Sequence, residues 1–260
     1  MKIGVDVGGS EIKAGLVSGN KIVKKTSIKT GKNKKQVVGN IVKVVEKLFS
    51  GKVNFIGVGV PGPADYKKGI IGNTPNIALK GVNLKKIISK FNRKVVFDND
   101  ANCFVLGEAI RLKKKNVVGL TLGTGVGGGI VIGGVLYKGK GNAGELGHCT
   151  IRYDGPKLGF NSGSLESYVS ARAIKRDYKT MPHKLKSKKA WNEIGEKLGI
   201  GIANLINTFD PDAVVLGGGI SRAFGKFKNS MNKEIKKRAV KIVIVTKGRE
   251  DSGIIGAACL

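Results

Sequence analysis

Short apolar runs that each stop at glycine or at acid constrain this chain most. Lys2–Val7 stops at Gly8-Gly9, Phe55–Val60 at Pro61-Gly62-Pro63, and Val95–Phe97 at Asp98-Asn99-Asp100. Between them, Lys34–Phe49 spaces Val37, Val38, Ile41, Val44, Val45 and Leu48 as a helix does. Ile12–Val17 and Lys21–Ser27, joined by Gly19-Asn20, read as the rest of a β-meander that starts at Lys2. The first hundred residues therefore predict an α/β sheet whose strand ends carry the chemistry, the place where open α/β sheets bind ligands.

The second part repeats the style. A helix is expected near Ala101–Arg111, strands at Val117–Leu122, Gly129–Ile132, Val214–Leu216 and Ile242–Val245, and helices at Ser164–Lys179, Lys188–Thr208 and Gly253–Leu260. No low-complexity linker divides the 260 residues, so two lobes in close contact are expected. The boundaries read as 1–103 plus 246–260 for one lobe and 104–245 for the other.

Composition excludes several classes. Hydrophobic residues make up 41% of the chain, enough for a core. The 40 glycines cluster instead of recurring every third residue, which excludes collagen. No secretory leader is visible and no apolar run is long enough to span a bilayer. Cys103, Cys149 and Cys259 are too few and too scattered for a disulfide framework, which fits a reducing cytoplasm. The net charge of +29 raises the question of nucleic acid. Against it, lysine greatly outnumbers arginine, the lysines spread from Lys21 to Lys247, and few aromatics interleave with them. A lysine-rich surface is the preferred reading.

Asp6-Val7-Gly8-Gly9-Ser10-Glu11-Ile12-Lys13 offers a strand-end carboxylate for magnesium and glycine N–H groups for phosphate, although a plain hairpin would use the same residues. Gly123-Thr124-Gly125-Val126-Gly127-Gly128-Gly129 contains G-x-G-x-x-G, but the strand-like Ile130-Val131-Ile132 follows where a dinucleotide fingerprint needs a helix. A glycine-lined hairpin tip is expected instead. Gly134–Lys140 mimics a P-loop, yet Gly141 replaces the magnesium-binding hydroxyl, so the match is chance. In Asp98-Asn99-Asp100-Ala101-Asn102, Asp100 can take a proton from an acceptor hydroxyl while Asn99 orients a neighbouring one. One of these residues can equally serve as a helix cap. Glu145 and His148 stand in a glycine-rich loop suited to a polyol.

In this order the motifs resemble the ROK family of sugar kinases and regulators, within the actin-like ATPase superfamily. The matches are Asp6-x-Gly8-Gly9, Val60-Pro61-Gly62, Asn99-Asp100-Ala101-Asn102, Gly123-Thr124-Gly125-x-Gly127-Gly128-Gly129, Glu145-x-Gly147-His148, Glu166, Asp210-Pro211, Gly217-Gly218-Gly219 and Gly256-Ala257-Ala258. The resemblance implies a two-lobed actin-like (ribonuclease H-like) ATPase fold with ATP and sugar in the cleft between the lobes. It implies Asp100 as base, with Gly62, Asn99, Glu145, His148 and Glu166 at the sugar. It implies nucleotide contacts from Asp6 (through Mg²⁺), Gly8, Gly9, Ser10, Lys13, Thr124, Gly125, Gly217 and Gly218. Glucose at its 6-hydroxyl is the leading substrate; N-acetylhexosamines, fructose and a non-catalytic sugar sensor are the alternatives. A homodimer or homotetramer is implied too. The sensor is disfavoured because Asp100 is retained and the phosphate motif begins at Asp6, leaving no room for a helix-turn-helix.

Two departures from the family pattern stand out. Where many relatives carry three zinc-binding cysteines, Lys157, Gly159 and Ser164 stand instead, and none can act as a thiolate, so no zinc is expected. Thr74-Pro75-Asn76-Ile77-Ala78-Leu79 lacks the family's aromatic, which bears on sugar choice.

Overall fold

The structure, a computed structural model, describes residues 1–74, 76–159 and 161–260. Pro75 of the Thr74–Leu79 loop and Phe160 of the Lys157–Glu166 segment lie outside the described residues. In chain order the elements are β1 (Lys2–Val7), β2 (Glu11–Ser18), β3 (Lys21–Lys29), α1 (Lys34–Glu46), β4 (Phe55–Val60), β5 (Ala64–Asp65), β6 (Ile70–Ile71), α2 (Leu84–Ile88), β7 (Lys94–Asn99) and α3 (Asp100–Leu112). Then come β8 (Val117–Leu122), β9 (Val126–Ile132), β10 (Val135–Leu136), β11 (Lys157–Leu158), β12 (Asn161–Ser162), α4 (Glu166–Val169), α5 (Ala171–Tyr178), α6 (Lys188–Phe209), β13 (Ala213–Gly217), α7 (Phe224–Arg238), β14 (Ile244–Lys247) and α8 (Ser252–Ala258).

The chain forms two compact units, residues 1–113 with 251–260, and residues 114–250. Each holds one five-stranded sheet, ordered β3-β2-β1-β4-β7 in the first and β10-β9-β8-β13-β14 in the second. In both, an antiparallel meander is followed by parallel strands, and helices make the crossovers. None of the helices among the described residues is long and apolar enough to cross a membrane.

Unit 1 closes around α8. A Cβ on Gly4 or Gly57 would overlap the carbonyl oxygen of Ile254 or Ala257, so α8 lies directly on the backbones of β1 and β4. On its other side, a Cβ on Gly107 or Gly256 would overlap the Ser252 or Cys103 carbonyl oxygen, which sets α3 equally close. Ile254, Ala257 and Ala258 are fully buried in this layer. The lobe boundary expected at 103 therefore moves: all of α3 belongs to unit 1 because its glycine face packs on α8. Residues 246 and 247 belong to unit 2, where β14 pairs with β13.

In unit 2, α6 buries Trp191, Ile194, Leu198, Ile202 and Ile206, and the Trp191 indole N–H donates to the Leu185 carbonyl at 3.0 Å. Gly195 and Gly199 admit α7: a Cβ there would stand 2.6 Å from the Phe227 carbonyl oxygen or 2.5 Å from that of Met231. The expected helix over Ser164–Lys179 is two helices. Ser170 adopts an extended backbone between them, and its hydroxyl accepts from the Ala173 N–H at 3.1 Å as the N-cap of α5. The G-x-G-x-x-G stretch is the β8–β9 antiparallel hairpin, as its composition predicted, and the P-loop mimic spans β10 and a turn.

Because backbone faces Gly256 on one side, Gly256→Ala is expected to cost about 3 kcal/mol, read as a melting temperature lowered by roughly 5–10 °C. Gly39→Ala is the control: nothing lies within 4 Å of its Cβ position inside α1. It is expected to stabilise slightly, by about 0.5–1 kcal/mol, through helix propensity. Thermal denaturation of both variants checks the contrast.

Candidate active site

The site residues named from the sequence fall into one group in each unit. In unit 1, Asp6 lies one residue before the end of β1 and faces Lys13 across the β1–β2 ladder. The chain then turns through Gly8 and Gly9, with the Gly8 N–H donating to the Glu11 carbonyl at 3.1 Å. Thr30, which sequence reasoning passed over, braces this turn: its hydroxyl donates to the Gly8 carbonyl at 2.6 Å and its N–H to the Ser10 carbonyl at 3.1 Å. Thr30 is buried, while Gly9 and Ser10 are exposed at the tip. The turn is thus held open by a hydroxyl buried behind it.

At the end of β7 the three polar residues divide their work. Asp98 is buried, and its Oδ1 accepts from the Asn99 N–H and the Asn102 side-chain amide, both at 2.8 Å. Asn99 is the N-cap of α3: its Oδ1 accepts from the N–H groups of Ala101 at 2.9 Å and Asn102 at 3.4 Å. That locks the amide orientation and turns Nδ2 toward the Tyr66 hydroxyl, 3.2 Å away. Gly62 lies beside this pair, since a Cβ there would stand 2.9 Å from the Tyr66 oxygen and 3.4 Å from Asn99 Nδ2. Asp100, the first residue of α3, takes the Ala101 N–H on Oδ1 at 2.9 Å.

The carboxylate of Asp6 senses that of Asp100. Asp6 is pushed up to about 7, by desolvation first and then by the negative charge of Asp100; Lys13 opposes the rise and Asp251 adds to it. Asp100 is also raised, by desolvation, against the lowering effect of the backbone N–H groups at its own position and at Ala101. Oxygen donors that repel each other at a strand end suit a hard divalent cation, which would relieve the repulsion. Asp251, just ahead of α8, is a neighbour the sequence gave no reason to place here.

In unit 2, Thr124 and Gly125 form the β8–β9 tip, closed by the Gly123 N–H donating to the Gly125 carbonyl at 2.9 Å. Glu166, buried, holds this tip: its Oε2 accepts from the Val126 N–H at 2.8 Å and its Oε1 from Arg172 at 2.5 Å. A Cβ on Gly125 would overlap that carboxylate, which explains the glycine. Arg172 is a second residue the sequence did not reveal, because the break at Ser170 disrupts the helical spacing that would link it to Glu166.

Glu145 and His148 flank a short 3₁₀ turn whose Leu146 is buried in the core. His148 Nε2 lies 3.6 Å from Glu145 Oε2. The turn packs on the hairpin: a Cβ on Gly128 would stand 2.5 Å from the Gly144 carbonyl oxygen, and one on Gly147 would overlap that of Val126. The Asn161 amide donates to the His148 carbonyl at 3.3 Å, and the Leu165 N–H to the Cys149 carbonyl at 2.9 Å. Gly217 ends β13, and Gly218, at φ 79°, lies against the Leu122 backbone where a Cβ would overlap it. The chain can reach the β8 end so closely only with glycine. No cluster of three or more His, Cys, Asp or Glu side chains able to hold a metal occurs among the described residues.

Unit 1 thus groups carboxylates near its strand ends, and unit 2 groups glycine tips near its own. Comparison with known proteins defines the class further. The ROK family model matches residues 2–260, and the chain belongs to the ROK family. It is 34% identical to the glucokinase of Thermotoga maritima, covering 99% of this chain and 96% of that protein. It is 31% identical to the N-acetyl-D-glucosamine kinase of Photobacterium profundum, covering 100% and 99%. Among solved structures, the ROK hexokinase of Thermus thermophilus superposes with a TM-score of 0.84 at 28% identity, over 98% of this chain and 96% of that one. A ROK glucokinase of Streptomyces griseus, in complex with glucose and AMPPNP, gives 0.81 at 28%, over 99% and 98%. The fold is the actin-like ATPase fold expected from the motifs.

The raised Asp6 makes a prediction for the ligand-free protein. A carboxyl whose folded pKa is near 7 against 3.8 contributes stability that is full below 3.8 and is lost as pH rises through about 7. Asp6→Asn removes that dependence. Its melting temperature relative to wild type is expected to climb between pH 4 and pH 7.5 and then level off, in thermal scans across that range without magnesium.

Proposed function

We propose that the chain phosphorylates a hexose at its 6-hydroxyl with ATP as donor, and that glucose is the preferred acceptor. The chain is an ATP-dependent sugar kinase, and the choice of sugar is the finer step. The observation that carries the mechanism is Asp100. Its carboxylate is held at the start of α3, beside the capping Asn99, and desolvation raises its proton affinity. That makes it a better base near neutral pH than an exposed aspartate.

In the reaction the sugar hydroxyl oxygen bonds to the γ-phosphorus, the bond from that phosphorus to the β–γ bridging oxygen breaks, and ADP leaves. Asp100 takes the hydroxyl proton. Asn99 Nδ2, its orientation locked by the cap, donates to a neighbouring sugar hydroxyl, with Gly62 leaving room beside it. Glu145 and His148 take further hydroxyls. Glu166 holds the Thr124-Gly125 tip and, since each carboxylate oxygen has a second lone pair, can accept a sugar O–H as well. The phosphate contacts fall to Gly8, Gly9, Ser10, Lys13, Thr124 and Gly125, and the adenosine to Gly217 and Gly218. Magnesium, bound at Asp6 directly or through water, would neutralise phosphate charge. Positioning and charge stabilisation supply most of the acceleration.

The second reading is an N-acetylhexosamine as acceptor, favoured by the N-acetylglucosamine kinases that match the whole chain. ADP formation from Mg-ATP over a panel of hexoses and N-acetylhexosamines separates the two. Asp100→Asn is expected to lower kcat by about 10²–10⁴-fold with sugar binding kept. Equal loss of turnover and binding would overturn the base assignment. Binding of sugar without turnover in the wild type would point to a sensor.

A further inference from the structure

We infer that Tyr66 is a positioning and specificity residue for the sugar, acting through Asn99; this rests on the kinase reading above. Tyr66 sits in the turn between β5 and β6, and its hydroxyl lies 3.2 Å from Asn99 Nδ2. Asn99 Oδ1 is committed to the first turn of α3, so the amide cannot flip, and the Tyr66 oxygen accepts one of the two Nδ2 hydrogens. The second hydrogen is then aimed by that pair of constraints. Without the phenol, rotation of the Asn99 side chain is opposed only by the cap.

The turn that carries Tyr66 is itself fixed. The Asp65 carboxylate accepts from the Lys68 N–H at 2.9 Å, and the Leu84 N–H donates to the Gly69 carbonyl at 2.9 Å. A Cβ on Gly69 would stand 2.6 Å from the Lys85 side chain and 3.2 Å from the Phe97 ring. The hairpin is therefore braced on α2 and on β7, the strand that ends in Asn99. The phenol and Asn99 thus share one rigid support, as a positioning contact requires.

Tyr66 also occupies space. Its oxygen is close enough to Gly62 that a Cβ there would stand 2.9 Å away, so the tip of the phenol forms a wall beside Gly62 and Asn99. The Gly72 N–H donates to the Pro63 carbonyl at 2.8 Å, which brings the start of the Thr74–Leu79 loop beside this turn. That loop has no aromatic residue, and Tyr66 supplies one with a polar tip at the same end of unit 1.

Tyr66→Phe tests the hydrogen bond and Tyr66→Ala the wall. Tyr66→Phe is expected to raise the KM for sugar about fivefold, with kcat and the KM for ATP little changed. Tyr66→Ala is expected to raise it further and to improve N-acetylglucosamine relative to glucose, because space opens beside Gly62. A merely structural role would lower kcat for every sugar alike, and that result, or unchanged KM and sugar preference in both variants, would overturn the inference. Asp100→Asn and the wild type, run in parallel, test the kinase reading separately. If the wild type turns over no sugar, sugar-induced stabilisation in thermal scans decides. Stabilisation weakened by Tyr66→Phe supports Tyr66 and removes only the kinase reading; equal stabilisation overturns Tyr66; no stabilisation by any sugar overturns both.

Discussion

Everything in unit 1 depends on one close approach, that of α8 to the backbones of β1, β4 and α3. Gly4, Gly57, Gly107 and Gly256 make it possible by removing a side chain from each contact. The last residues of the chain therefore complete the core that its first residues begin, and Ile254, Ala257 and Ala258 are buried there. The approach has an electrostatic consequence. It brings the start of α8 against Asp6, where a Cβ on Gly253 would stand 2.9 Å from Asp6 Oδ2. The same packing anchors α3, whose first residue is Asp100. Glu108, fully buried in α3, accepts the Ser252 hydroxyl, which ties α3 to the start of α8, and pairs with Arg111 one turn on in its own helix. Dense helix packing thus anchors both the helix that begins at Asp100 and the helix whose start lies against Asp6.

That arrangement costs stability, because burial and the nearby charge of Asp100 both oppose ionisation of Asp6 in the folded chain. Desolvation is the larger cause of the rise of Asp6 to about 7, and the charge of Asp100 adds to it. Strain of this electrostatic kind is common at functional sites, where ligands relieve it. With Asp6 ionised, the ligand-free protein is therefore less stable above about pH 7 than in acid.

Much of this was legible from the chain. The strand ends at Gly8-Gly9, Asn99-Asp100 and Gly217-Gly218, the hairpin nature of Gly123–Gly129, and the order of motifs all carried through, because each is local: strand, then turn, within ten residues. What escaped was non-local or weakly patterned. Helix α7 was missed because Phe227, Met231 and Ile235 make a stripe one residue wide in a run of lysines and polar residues. Tyr66, Thr30, Arg172 and Asp251 were missed because their partners lie at sequence distances that no periodicity encodes. Asn99 as helix cap stood among three candidates, and only the direction of its Oδ1 separates it from Asp98 and Asp100.

The repeated sheet topology explains how the chemistry is divided. Both units order their strands identically, so both present strand ends of the same kind. In unit 1 these ends carry the polar side chains of Asp6, Asn99 and Asp100. In unit 2 they carry Gly123, Thr124, Gly125, Gly217 and Gly218, which present mostly bare backbone. The charge follows no such division. Residues 1–113 with 251–260 hold 22 basic and 8 acidic side chains, and residues 114–250 hold 25 and 10. An even spread of lysine is a surface property, and part of it has a structural use: Lys21, Lys24, Lys25 and Lys29 line β3, an edge strand, where charge discourages pairing with another chain. The excess of basic over acidic side chains is thus nearly equal in the two units.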